Sequence, residues 1–78
     1  MSMKTEYDEV QSDLEWLKSF IHRNPLDIVN GMVADATEKY LQEEFITTQN
    51  YYMGRMKHWI AVRKAYFMWM EDWKKATE

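Results

Sequence analysis

Apolar side chains recur at three- and four-residue intervals along almost the whole of this chain, and a single proline, Pro25, interrupts them. That spacing gathers apolar groups on one face of a helix, whereas a half-buried strand needs strict alternation, which no segment here sustains. The first run is Tyr7, Val10, Leu14, Leu17 and Ile21, with Trp16 and Phe20 widening the stripe. Two starts compete for it. Thr5 with Asp8 supplies one cap, while Ser12 with Glu15 makes a better capping box and would leave residues 5–11 frayed. Its end is expected at Asn24-Pro25, because the residue before proline is pushed out of the α region; Asn24 then caps a new helix with Pro25 in its first turn.

From Pro25 the period continues through Val29, Val33, Ala36 and Tyr40, flanked by Leu41 and Phe45. Asn30-Gly31 favours a turn, so a short helix over 25–30 is expected before a longer one over about 32–48. The next break falls either in the polar run Thr47, Thr48, Gln49, Asn50 or at Gly54. In the last helix, ending near Lys75, Trp59, Val62, Tyr66, Trp69 and Trp73 share one arc, which Met56, Ile60, Phe67 and Met70 widen to more than half the circumference. The expectation is an all-α fold: one domain over residues 1–78, an up-down four-helix bundle of three long helices and one short.

With 78 residues the chain hides only about 60% of its unfolded surface, so its four Trp, five Tyr, three Phe and seven Met carry the core. The absence of Cys excludes disulfides and thiolate metal sites and fits a reducing compartment, with the cytoplasm as the default. The longest uninterrupted apolar run, residues 65–70, is far short of the roughly 18 residues a membrane span needs, and no signal peptide is recognisable. No membrane association, cofactor or small-molecule substrate is therefore expected.

Charge is unevenly distributed. Residues 1–48 carry a net −6 and residues 49–78 a net +3, giving −3 overall. Non-specific nucleic-acid affinity comes mostly from neutralising phosphates, so only a local patch in the second half can supply it. Arg55, Lys57, His58, Arg63 and Lys64 interleave there with Tyr51, Tyr52, Trp59 and Tyr66, a mixture in which cations take phosphates and aromatic faces stack on bases. On a helical wheel Lys57 and Lys64 share the solvent face, Arg55 and His58 lie toward Trp59 and Val62, and Arg63 lies beside Ile60 and Phe67. The plainer alternative makes the aromatics core and the arginines its edge, their stems buried.

Glu38, Glu43 and Glu44 lack the Glu-x-x-His partner of helical di-metal sites, so no metal is expected. Glu44, on the apolar side of its helix, is expected either to reach to the rim or to pair with Arg55 or Arg63. His22 is placed to complement a helix C-terminus. No nucleophile motif surrounds either histidine, and Gly31 and Gly54 stand alone, so no phosphate loop and no enzymatic activity are expected.

The runs VADATEKYLQEEF (33–45), YYMGRMKHW (51–59) and KAYFMWMEDW (64–73) give the chain a resemblance, over nearly its whole length, to the UvsW-associated family. These are small proteins encoded beside the UvsW helicase in T-even-type bacteriophages. The resemblance implies a small, mobile four-helix bundle similar to the accessory nucleic-acid-binding module of RecQ-type helicases. It also implies a place in phage recombination and repair, in the host-cell cytoplasm, without assigning any residue a role.

Two functional expectations follow. In the first, the chain is a nucleic-acid-binding module for single-stranded or branched DNA, serving a helicase, with Arg55, Lys57, Arg63 and Lys64 on phosphates and Tyr51, Tyr52 or Trp59 stacking. In the second, it is a protein-interaction module in which Tyr66, Phe67, Met68, Trp69, Met70 and Trp73 dock on a helicase, another recombination protein or a second copy, since aromatics and Met are enriched in interface cores. They differ in whether the cations or the apolar groups of the last helix are left exposed.

Overall fold

A computed structural model describes residues 6–77, and these form three helices and no strand. They are α1 (Glu6–Lys18), α2 (Pro25–Gln42) and α3 (Ile46–Thr77). The all-helical class holds, and the four-helix count is corrected to three.

Helix α1 runs through Ser12, so the Ser12–Glu15 capping box is not used; Thr5, the other proposed cap, lies outside the described residues. It also stops earlier than Asn24-Pro25. Its last turn tightens as the Ser19 and Phe20 amides bond to the carbonyls of Trp16 and Leu17, and the Ser19 hydroxyl donates to the Trp16 carbonyl as well. A serine that meets a backbone acceptor competes with helix continuation. Ile21 therefore leaves the stripe and is exposed in the connection, as is His22.

The start of α2 follows the sequence. The Asn24 side chain accepts from the Leu26 amide at 3.0 Å, its backbone is extended, and Pro25 occupies the first turn. The expected break at Asn30-Gly31 does not occur. One interior glycine costs about 1 kcal/mol, less than the burial that a continuous helix secures by keeping Val29 and Ala36 on one buried face with Val33 beside them. Helix α2 ends where Glu43 turns extended and its amide bonds to the Lys39 carbonyl.

The following break falls at residues 43–45, before both sites proposed for it, so residues 47–50 and Gly54 are helical. The Gln49 side-chain amide donates to the Glu43 carbonyl at 2.7 Å, which ties the start of α3 to the end of α2. Glu44 is left exposed in the connection rather than on a helix face, and it does not pair with Arg55 or Arg63.

Helix α3 is the wall against which the other two pack. It contacts α2 most and α1 less, while α1 and α2 touch each other least. Contacts from Asp13 to His58 and Lys18 to Trp69 show α1 running parallel to it. Contacts from Asn30 to Arg63 and Thr37 to Met56 show α2 running antiparallel. The buried cluster is Leu14 and Leu17 from α1, Val29 from α2, and Trp59, Val62 and Tyr66 from α3. Thirty-two residues make a helix of about 48 Å, which accounts for the long dimension of a body 49 × 34 × 19 Å.

Leu17 is fully buried at the meeting of the three helices, so Leu17→Ala should cost about 2–5 kcal/mol in urea unfolding. Gly31 has a helical φ, and a methyl group placed on its Cα would meet nothing within 4 Å. Gly31→Ala should therefore raise stability by about 0.5–1 kcal/mol. A neutral Leu17→Ala or a destabilising Gly31→Ala would contradict this packing.

Candidate interaction surface on the third helix

The cations proposed for a phosphate-binding patch are divided among several surroundings. Arg63 is half-buried and donates from Nη1 to Asn30 Oδ1 at 2.8 Å, crossing from α3 to α2. Arg55 lies over the Trp59 ring at 5.6 Å. Lys57 and Lys64 point to solvent, as their shared place on the wheel predicts, and neither joins an ion pair among the described residues.

The proposed stacking groups Tyr51, Tyr52 and Trp59 line one cleft of about 210 Å³ together with Arg55, and they differ in what each leaves exposed. Trp59 is only 7% exposed, its ring enclosed by Trp16, His58 and the core, so it has no free face for a base. Tyr52 is half-buried with the Lys39 ammonium 5.9 Å from its ring centroid. A hydrogen bond to Asp35, and then that carboxylate's charge, hold the Lys39 ammonium above its usual pKa. Tyr51 is exposed and packs edge-on against Tyr52. The structure therefore brings Tyr51, Tyr52, Arg55 and Trp59 to one cleft, while Lys57, Arg63 and Lys64 lie outside its lining.

His58 is the buried polar group of this helix. Its Nε2 bonds to Asp13 Oδ2 of α1 across the core edge. Glu9, Ser12 and Arg55 line a polar cleft of about 230 Å³ around that pair. The signal in the sequence was position alone: 58, 62 and 69 share a helical face, which buries His58 and brings it against α1.

The apolar group divides differently. Tyr66 is core, and Trp69 and Met70 pack half-buried against that core, with Lys18 lying 4.7 Å from the Trp69 ring centroid. Phe67, Met68 and Trp73 are 49%, 58% and 59% exposed. Beside Met68 an open groove of about 520 Å³ runs between α1 and α3. Val10 and Leu14 form one wall, Ala61, Ala65 and Met68 the other, and Lys64 and Asp72 stand at its edge.

Among the described residues no three His, Asp or Glu side chains cluster closely enough to hold a metal, and no helix is long and apolar enough to cross a membrane.

Removing the Asp13 carboxylate strands a buried imidazole nitrogen, although water reaches the one-third-exposed Asp13 side. Asp13→Ala should therefore cost about 1 kcal/mol, the low end for an orphaned buried donor, and Asp13→Asn less. Equal stability of Asp13→Ala and the parent in urea unfolding would remove this pair from the forces that dock α1.

Comparison with protein-family models, with curated proteins and with solved structures finds no match to this chain, and the functional reading rests on the geometry of α3 and its neighbours.

Proposed function

We propose that this chain is a small non-enzymatic interaction module that docks on other proteins through the C-terminal half of α3. The observation that carries the reading is the exposure of Phe67, Met68 and Trp73 along a helix that outruns both of its neighbours. The three side chains project on different sides of α3, about 100° or more apart, and exposed aromatic and Met side chains of this kind are enriched in interface cores. The resemblance to the UvsW-associated family directs the choice of partner toward a helicase or another protein of phage recombination and repair.

Phe67→Glu combined with Met68→Glu tests it, because both positions are exposed and the helix tolerates glutamate there. Circular dichroism should be unchanged. Hydrogen exchange of the parent should slow over residues 64–73 on addition of a purified UvsW-type helicase, and the double variant should show no such protection. Protection that is absent in the parent at every helicase concentration, together with no self-association, would overturn the reading.

A second reading is weak binding of single-stranded or branched DNA, and the exposure of Lys57 and Lys64 on one face supports it. Two lysines engage about two phosphates, so the dissociation constant should be about 10⁻⁴ to 10⁻⁶ M with a salt slope of about 0.7 to 0.9 per phosphate. Lys57→Glu with Lys64→Glu should abolish the shifts that forked oligonucleotides cause in NMR spectra recorded at two salt concentrations. Binding retained by that folded variant would exclude this cation pair.

A further inference from the structure

The groove between α1 and α3 is too open to be a finished surface. Its floor on α3 is made of Ala61, Ala65 and Met68, one and two turns apart on a single face, and the alanines leave room for another helix to approach closely. We infer that its occupant is a second copy of this chain, whose α3 lies antiparallel to the first across a two-fold axis near Met68. This deepens the interaction-module reading and rests on it.

Two further observations support a second copy: the charge pattern, which an unrelated helix need not match, and the area available to an interface. The first is charge. An isologous contact requires one surface to complement itself, with each residue meeting the counterpart the symmetry assigns it. Around an axis at Met68, Lys64 lies four residues before the axis, and Glu71 and Asp72 lie three and four residues after it. At 1.5 Å per residue Lys64 stands about 6 Å to one side and Glu71 and Asp72 about 4.5 and 6 Å to the other, so the Lys64 ammonium of each copy faces the two carboxylates of the other. Lys75, seven residues beyond the axis, falls opposite Ala61, so no like charges of the two α3 helices oppose each other along the stripe, and Lys18 of α1, which also lines the groove, is paired with Glu15 of its own helix.

The second is area. The chain exposes 6280 Å², whereas a compact monomer of 9.5 kDa should expose about 5,000 Å². The surplus is larger than the roughly 800 Å² that each partner buries in an interface of standard size. Its radius of gyration, 14.5 Å, likewise exceeds the roughly 11.5 Å expected of a compact chain of this length.

The experiment is a charge exchange read by analytical ultracentrifugation. The parent should sediment as a monomer and dimer in concentration-dependent exchange. Lys64→Glu makes the stripe acidic on both sides of the axis, and Glu71→Lys with Asp72→Lys makes it basic on both sides. Each variant alone should associate at least tenfold more weakly than the parent, with an unchanged helical spectrum. Mixed in equal amounts they should recover the dimer, since every contact across the axis is then between opposite charges.

Variants that associate as strongly as the parent, or a mixture that stays monomeric, would overturn the proposed axis. A parent that is monomeric up to millimolar concentration would overturn the second copy altogether. If a helicase still protects residues 64–73 of that monomer, the interaction-module reading stands without it. If it does not, both fall.

Discussion

The face of α3 that carries Trp59, Val62 and Tyr66 is the surface on which the fold depends. Helix α1 has 13 residues, a length at which an isolated helix is marginal in water. It has little contact with α2, so the burial of Leu14 and Leu17 against α3 is what keeps it helical. Helix α2 is held by Val29 on the same face. Both short helices are thus ordered by one long one, and changes to the Trp59–Val62–Tyr66 face propagate to the whole molecule.

Apolar stripes specify contact better than they specify register, because a helix slid by one turn presents a similar stripe. Polar links across the helices remove that ambiguity. Asp13 with His58 sets α1 along α3, and Asn30 with Arg63 sets α2 along it, at opposite sides of the core. A one-turn slip would leave the buried imidazole unpaired, which costs more than the apolar contacts alone would resist. The same bond uses one of the five N–H donors of the Arg63 guanidinium and fixes that side chain against α2.

These links also mark the limit of what the sequence made legible. The helical class, the cap at Asn24-Pro25 and the solvent face shared by Lys57 and Lys64 all follow from local chemistry or from the period of one helix. The continuity of α2 through Gly31 does not, because a local propensity near 1 kcal/mol is overridden by packing against a segment some thirty residues away. The break at residues 43–45 was hidden for a related reason: Gln49 bonds back to the Glu43 carbonyl, and that makes a polar run the first turns of α3 instead of its interruption. Whether Arg55, Arg63 and Trp59 are available to a ligand depends on which residues α1 and α2 set against them, which no single-helix wheel contains.

The remaining tension is between the length of α3 and the size of what covers it. Its 32 residues carry apolar groups on more than half of the circumference, while α1 and α2 provide only 13 and 18 residues to shield them. In a chain this small every apolar group kept from the core lowers a stability that is already modest. Shortening α3 after Trp69 would keep most of the core and shed Trp73 with the charges beyond it. Helix α3 instead keeps Phe67, Met68 and Trp73 exposed, with Lys64 and the Glu71–Asp72 pair balanced about Met68, an arrangement that fits the proposed contact with a second copy. In such a dimer the burial of these groups at the interface would add to the stability of each chain.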